Sequence, residues 1–437
     1  MAFGGGTWTA QNKVLPGTYI NTVSATSYNS NYGDRGRVAC PIMLDWGPET
    51  GVFGVTVDDF VKNAKKIFGY DADAAELVDV REIFKHATRA YFYRLNGGGT
   101  KASNTYAEAK YSGTAGNKLQ IKIIASTETE GAFYVDTVYD GDVVDEQIVT
   151  APNKLVANDW VTWKTFEMAA TAGVALTGGA NAASVTGEKH LAALTAFESY
   201  KFDALACPAD EASVIAVYAA YTKRLTEEMG IKFQLVTKKT EAGADNEYIT
   251  EVQNVCTDDS RAHALVFWVA GAQAGCALNT SCTGMIYDGE HTIDTNFTQA
   301  QLETFSQSGK FAFHRTDDVV RVLRDVNSFV SYSDEKGEAF GLNQTMRVLN
   351  YLASADGALF NENYLGVYLN TQTARSKLRS DLVAIRTALA ANGAIGPYDA
   401  SAMTVEASAT DAQGVVMNDA ITIARTMERL YITELIG

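Results

Sequence analysis

An α+β multidomain fold is predicted by three observations on the sequence. At 437 residues the chain is too long for one ordinary hydrophobic core, so two to four domains are expected. Its texture switches abruptly, from mixed helix and strand to almost pure strand after Gly97-Gly98-Gly99, and back after Leu176-Thr177-Gly178-Gly179. Both ends are rich in aromatic and β-branched residues, which makes them poor solvated tails. The predicted architecture is a discontinuous α/β domain with a β-rich insertion, an α+β C-terminal domain, and two arms. The boundaries are 1–25 for the N-terminal arm, 26–96 and 180–297 for the α/β domain, and 97–179 for the insertion. Residues 298–418 form the C-terminal core and 419–437 a C-terminal arm strand.

In chain order, Arg37 to Leu44 reads as a buried strand stopped by Asp45-Trp46-Gly47-Pro48. Helical stretches follow at Val57 to Phe68 and Ala74 to His86, then a strand from Thr88 to Leu95. In the insertion, Leu119, Ile121 and Ile123 alternate with polar residues, as do Phe133, Val135, Thr137 and Tyr139. Asp140-Gly141 joins the second of these strands to Val143–Val149 as a tight hairpin. The glycines on either side of the insertion read as a turn or hinge. Phe202 to Cys207, a helix bearing Val214, Val217, Tyr218, Tyr221 and Leu225, and Ile231 to Val236 make a βαβ unit, with Gly230 as the helix cap. Further helices are expected at Ala262 to Ala277 and Gln299 to Ser306. The second of these begins the last domain, and a hairpin of Lys310 to His314 with Val319 to Val326 follows it, then two long helices. The second places Leu378, Leu382, Ile385 and Leu389 on one stripe. Strands at Met403 to Ala407 and Ala420 to Ile436 end the chain.

Composition excludes several functions. A net charge of −16 argues against a nucleic-acid surface, which needs clustered Lys and Arg. Neither a secretory signal nor a run of about twenty apolar residues is present, so folding in a cytoplasm without membrane insertion is expected. The five cysteines are scattered in apolar or small-residue contexts and read as buried free thiols. Cys256, His263, Cys276 and Cys282 match no compact zinc spacing. The glycine-rich stretches lack the spacing of a phosphate loop or a dinucleotide fingerprint. Asp58-Asp59 suits a helix N-terminus and Asp317-Asp318 a turn. No catalytic residue, cofactor or metal is expected.

Ordered short motifs along the chain resemble one family. Leu15-Pro16-Gly17-Thr18-Tyr19-Ile20-Asn21, Gly36-Arg37-Val38-Ala39 and Asp45-Trp46-Gly47-Pro48 carry the N-terminal part. Leu176-Thr177-Gly178-Gly179 before a helix also fits, although Asn181-Ala182 replaces the usual Asp-Gly. Val320-Arg321-Val322-Leu323-Arg324-Asp325-Val326-Asn327-Ser328, Met346-Arg347-Val348-Leu349 and Tyr364-Leu365-Gly366-Val367-Tyr368-Leu369-Asn370 continue the series. Gly393-Ala394-Ile395 and Met427-Glu428-Arg429-Leu430-Tyr431-Ile432-Thr433 complete it. Together they resemble the contractile tail sheath proteins of myophage-type phages, especially of Gram-positive bacteria, and of phage-tail-like bacteriocins.

The resemblance implies a structural subunit of a phage tail or phage-tail-like particle, made in a bacterial host cytoplasm. Such subunits polymerise helically, usually in sixfold rings, around an inner tail tube, with baseplate and tail terminator proteins as further partners. Contraction drives the tube through a target envelope. Terminal arms add strands to neighbouring subunits, and here Tyr19, Ile20 and Val23 at one end and Ile421, Ile423, Leu430 and Ile432 at the other are the implied contact residues. From the residues alone, each end pairs equally well within its own subunit. The alternative reading is a glycan- or surface-binding protein or hydrolase using the insertion, with Trp160 and Trp163 as its nearest aromatic candidates.

Overall fold

The computed structural model describes residues 35–241 and 243–436. Tyr19, Ile20, Val23 and the rest of the expected N-terminal arm lie outside the described residues. The strand β1 (Arg37–Ile42) is apolar on both faces and takes a central place in a sheet. A short edge strand β2 (Val52–Thr56), helices α1 (Val57–Phe68) and α2 (Val78–Phe84), and β3 (Arg89–Arg94) follow. Thr56 and Asp59 close a capping box on α1, so the paired acids sit at a helix N-terminus as expected.

The chain then leaves for the insertion and returns with α3 (Gly187–Phe197), β11 (Ala204–Ala206), α4 (Ala212–Lys223), β12 (Gln234–Lys238), β13 (Ile249–Val252) and α5 (Val266–Gly275). A further helix α6 (Gln299–Gln307) precedes β14 (Lys310–Phe311). Together they form one seven-stranded sheet, β14-β13-β12-β11-β1-β3-β2, in which only the β2–β3 pair is antiparallel. Val38, Cys40 and Ile42 of β1 face a core with α1, α2 and α5, whereas Ala39 faces a second core with α3 and α4. The layering is that of an open α/β sheet covered on both sides. Helix α5 lies so close to α2 that a Cβ on Gly271 would stand 2.4 Å from the Ile83 carbonyl.

The insertion has two antiparallel sheets. One contains β4 (Lys101–Ser103), β5 (Ala107–Ser112) and β9 (Val161–Trp163). The other contains β6 (Leu119–Ala125), β7 (Phe133–Tyr139), β8 (Asp142–Val149) and β10 (Thr171–Ala175), in the order β10-β6-β7-β8. Asp140 and Gly141 both have positive φ, +53° and +93°, as the predicted tight turn requires. One apolar cluster between the sheets takes in Ala107, Ile121, Val135, Tyr139 and Trp160, and also Trp46 from the α/β domain.

Two expectations are corrected here. The glycines at the insertion boundary are not a loose hinge: a Cβ on Gly97 would lie 2.5 Å from the Glu49 carbonyl, and one on Gly99 2.0 Å from that of Ala180. They are glycine because two backbones touch there. The first strand expected for the hairpin of the last domain is split: Lys310–Phe311 joins the seven-stranded sheet, and the hairpin itself starts at Phe313 as a separate pair. β14 pairs in parallel with β13, and β15 (Phe313–Thr316) with β16 (Val319–Val322) packs Phe313 and Val322 into the α5 core. The exposed edge of β13 and the apolar residues Phe311 and Phe313 bury one another across the boundary expected at residue 298.

The remaining body is built on α7 (Asn343–Asn363) and α8 (Gln372–Ala391), with a two-stranded sheet of β17 (Thr404–Ala407) and β18 (Val415–Asn418). Leu378, Leu382 and Leu389 are buried along the predicted stripe, and Ile385 packs beside them. The strand expected over Ala420 to Ile436 is absent as a regular element; a single bridge joins Ile423 to Ile395. No described helix is long and apolar enough to cross a membrane.

Candidate functional site

The C-terminal segment divides into an anchored half and an exposed half. It leaves the last sheet at Asp419, whose carboxylate accepts from Arg386 Nε at 2.8 Å and from the Tyr398 hydroxyl at 2.9 Å. Arg386 is itself buried and also binds Asp356, so the exit point is held by a charged, hydrogen-bonded cluster. Ile421 and Ile423 then pack on Val348, Leu352, Leu389 and Ile395 of their own subunit. Backbone bonds from Gly396 N to Thr422 O (2.7 Å) and Ala424 N to Ala394 O (3.2 Å) fix the stretch. Gln344 on α7 reads the next residues, donating to Ala424 O and accepting from Thr426 N.

The last anchor is Glu428. It accepts from Arg324 Nε at 2.9 Å and from the Thr283 hydroxyl at 3.3 Å. Beyond it Leu430 is 83% and Ile432 69% exposed, and Tyr431, Leu435 and Ile436 are more exposed still. Among the described residues no backbone hydrogen bond ties 427–436 to the body. The four C-terminal residues singled out in the sequence therefore separate: Ile421 and Ile423 dock at home, and Leu430 and Ile432 face solvent.

The anchor grows out of a buried polar joint that sequence reasoning missed. Asp325, next to Arg324, accepts from Arg347 (3.0 Å), Gln273 (2.6 Å), Asn343 (3.0 Å) and the Cys282 amide (3.0 Å). Arg347 donates in turn to Gln273 Oε1 at 3.0 Å, and Gln234 on β12 donates to Asn343 Oδ1 at 2.8 Å. Helix α5, helix α7 and the central sheet are thus tied through one carboxylate. Burial pushes the Asp325 carboxyl up, but the Arg347 charge and the donors outweigh it and hold it below the usual carboxylate range. Thr283 donates its hydroxyl to Glu428 and accepts from the Asp325 amide, so the arm root and the joint share residues. Arg35 donates to Gln273 O at 3.1 Å beside this joint. The signal in the sequence is Gln273, alone among apolar and small residues in Val266–Gly275.

A second polar joint holds the insertion. Buried Arg94 donates to the carbonyls of Leu44, Gly47 and Ser112 and to Asn181 Oδ1. Trp46 stacks on Trp160 at 5.7 Å and donates its indole N–H to Lys66 O. Trp160 is consequently core. Trp163 is half-buried against the same core, with its N–H on Val156 O. Asp145 and Asp159 are engaged, the first with Asn158 and the second with Lys66 and Lys110, so neither is a free carboxylate beside Trp160. Elsewhere His263 faces Asp210 at 3.0 Å, and Cys276 and Cys282 lie by Arg347, so the four residues considered for zinc do not converge.

Four models of successive parts of phage tail sheath proteins match this chain. They are the N-terminal region of domain III of tail sheath protein Gp18 at 35–95, the tail sheath β-sandwich domain at 97–181, the central domain at 183–328 and the C-terminal domain at 335–435. Protein XkdK of the phage-like element PBSX of Bacillus subtilis is 32% identical over 383 residues, covering 79% of this chain and 80% of that one. The crystal structure of the sheath tail protein of Desulfitobacterium hafniense superposes with a TM-score of 0.80 at 30% identity, over 95% of this chain and 99% of that one. The helical sheath of the anti-feeding prophage, in its contracted state, shares the fold alone, with a TM-score of 0.54 at 11% identity over 97% and 99% of the two chains.

Proposed function

The chain belongs to the phage tail sheath proteins, and from that premise we propose that its copies stack helically around an inner tube and contract to drive the tube through a cell envelope. The observation that carries the linkage between copies is the exposed segment after Glu428. Leu430 and Ile432 lie two residues apart, and in an extended strand they share a face. Ordering the eight residues 429–436 costs on the order of 8–16 kcal/mol of backbone entropy. Burying Leu430, Tyr431, Ile432, Leu435 and Ile436 returns about 1.5–3 kcal/mol each, a sum of the same size. One arm alone therefore binds weakly, and many arms in one lattice bind cooperatively.

The receiving edge in this reading is the β17–β18 pair of the next subunit. A two-stranded sheet is marginal by itself, and Val416 and Met417 of β18 are exposed. A head-to-tail contact of this kind does not close on itself, so it builds a helical array rather than a dimer. Ile421 and Ile423 act as the root that fixes where the arm departs. Tyr19, Ile20 and Val23 serve the N-terminal arm, and sixfold rings, the tube, the baseplate and the terminator complete the particle. Truncation after Glu428 tests the linkage. Subunits with an unchanged melting temperature that form no tubes in electron micrographs are expected; normal tubes would remove the arm from the account.

A further inference from the structure

We propose that Cys256, Asp258 and His291 form a binding site for one zinc-type divalent metal ion. Their candidate ligand atoms, one per residue, all lie within 4.8 Å of one another. His291 Nδ1 stands 3.7 Å from Asp258 Oδ1, too far for a hydrogen bond. Two ligands of a tetrahedral zinc, each roughly 2.0–2.2 Å from the ion, stand about 3.4 Å apart, so the observed gap is close to that of a pair spanning a metal. The His291 side chain is only 7% exposed, yet its Nε2 has no hydrogen-bond partner. With Nδ1, the nitrogen that faces Asp258, as the ligand, the ring proton sits on Nε2, which sets the tautomer a metal on Nδ1 requires.

The backbone holds the three residues in place without a metal. Cys256 bridges Ile293 in antiparallel fashion, Thr257 N donates to Thr292 O at 2.8 Å, and Asp294 N donates to Val255 O at 2.9 Å. The Thr292 amide also donates to Asp258 Oδ2 at 2.9 Å, which orients the carboxylate and leaves Oδ1 for a metal. The charge around the cluster is negative. Asp258 belongs to the cluster and buried Glu82 lies near it, while Asp259 and the nearby Arg261 offset one another. Asp258 is 41% exposed, which gives an ion a path from solvent and leaves a fourth position for water. A sulfur, nitrogen and oxygen donor set suits zinc or cobalt better than magnesium or calcium. Binding releases the thiol proton to solvent and clips the 254–258 stretch to 290–294.

The test uses the full-length protein, stripped with chelator and titrated with cobalt(II), then zinc. The expected result is a thiolate-to-cobalt charge-transfer band that saturates at one equivalent and is displaced by zinc. Cys256→Ser abolishes that band, whereas Cys207→Ser keeps it. Asp258→Asn, a surface change, weakens zinc binding at least tenfold while leaving the circular dichroism of the metal-free protein unchanged. The proposal is overturned by the absence of a thiolate band in the unaltered protein, by a band that survives Cys256→Ser, or by undiminished zinc affinity in Asp258→Asn. If Cys256→Ser misfolds, the Asp258→Asn titration decides alone.

Discussion

Asp325 concentrates the electrostatics of the molecule on one carboxylate. It is fully buried, as is its partner Arg347, and each is hydrogen-bonded to further groups. Taking two charges from water is expensive, so the pair is not a net source of stability, but breaking it strands a buried guanidinium. Asp325→Asn is expected to cost about 3–5 kcal/mol in urea denaturation. The pH dependence follows from the depressed carboxyl. A carboxylate held below its unfolded value, about 3.9, stabilises fully above that pH and loses the contribution as pH falls through the folded value. Acid unfolding of the parent should therefore set in below about pH 4, and the Asn variant should show a flatter acid limb.

At the scale of elements, the packing of Trp46 makes the insertion part of the body. Its ring lies against Trp160, Tyr111 and Tyr139, and Arg94 ties the same junction with hydrogen bonds. Trp46→Ala should cost about 3–5 kcal/mol, and hydrogen exchange should quicken in β5 and β9 before it does in β1. The strands β6 to β8, the helix α1 with its paired acids in the first turn and the α8 stripe were legible because their signals are local: alternation, negative charge at a helix start, a period of 3.6. The short strand β2, interrupted by Gly54, and β18 carry too little pattern to stand out. The placement of β14 was hidden for a different reason. Parallel pairing with β13 joins segments nearly sixty residues apart, and no local period records it. The candidate site was legible in part: the C-terminal segment announced its apolar character, but where docking ends and exposure begins depends on Gln344, Arg324 and Thr283, which act only in the folded chain.

On the scale of the whole molecule, a body tied by buried polar joints and an exposed C-terminal end suit a sheath subunit. The α/β sheet, the insertion and the C-terminal helices are joined through the buried hydrogen bonds of Arg94 and Asp325. The root of the C-terminal segment sits beside one of these joints, so in the proposed linkage an arm would pull on the body rather than on a loop. The most direct test is a cryo-electron-microscopy map of assembled tubes, resolved well enough to trace residues 425–436. The account predicts that the chain follows its own subunit to Glu428 and then crosses to a neighbour, with Leu430 and Ile432 facing the β17–β18 sheet of that neighbour. Density that keeps 429–436 folded on their own subunit, in tubes that still form, would contradict it.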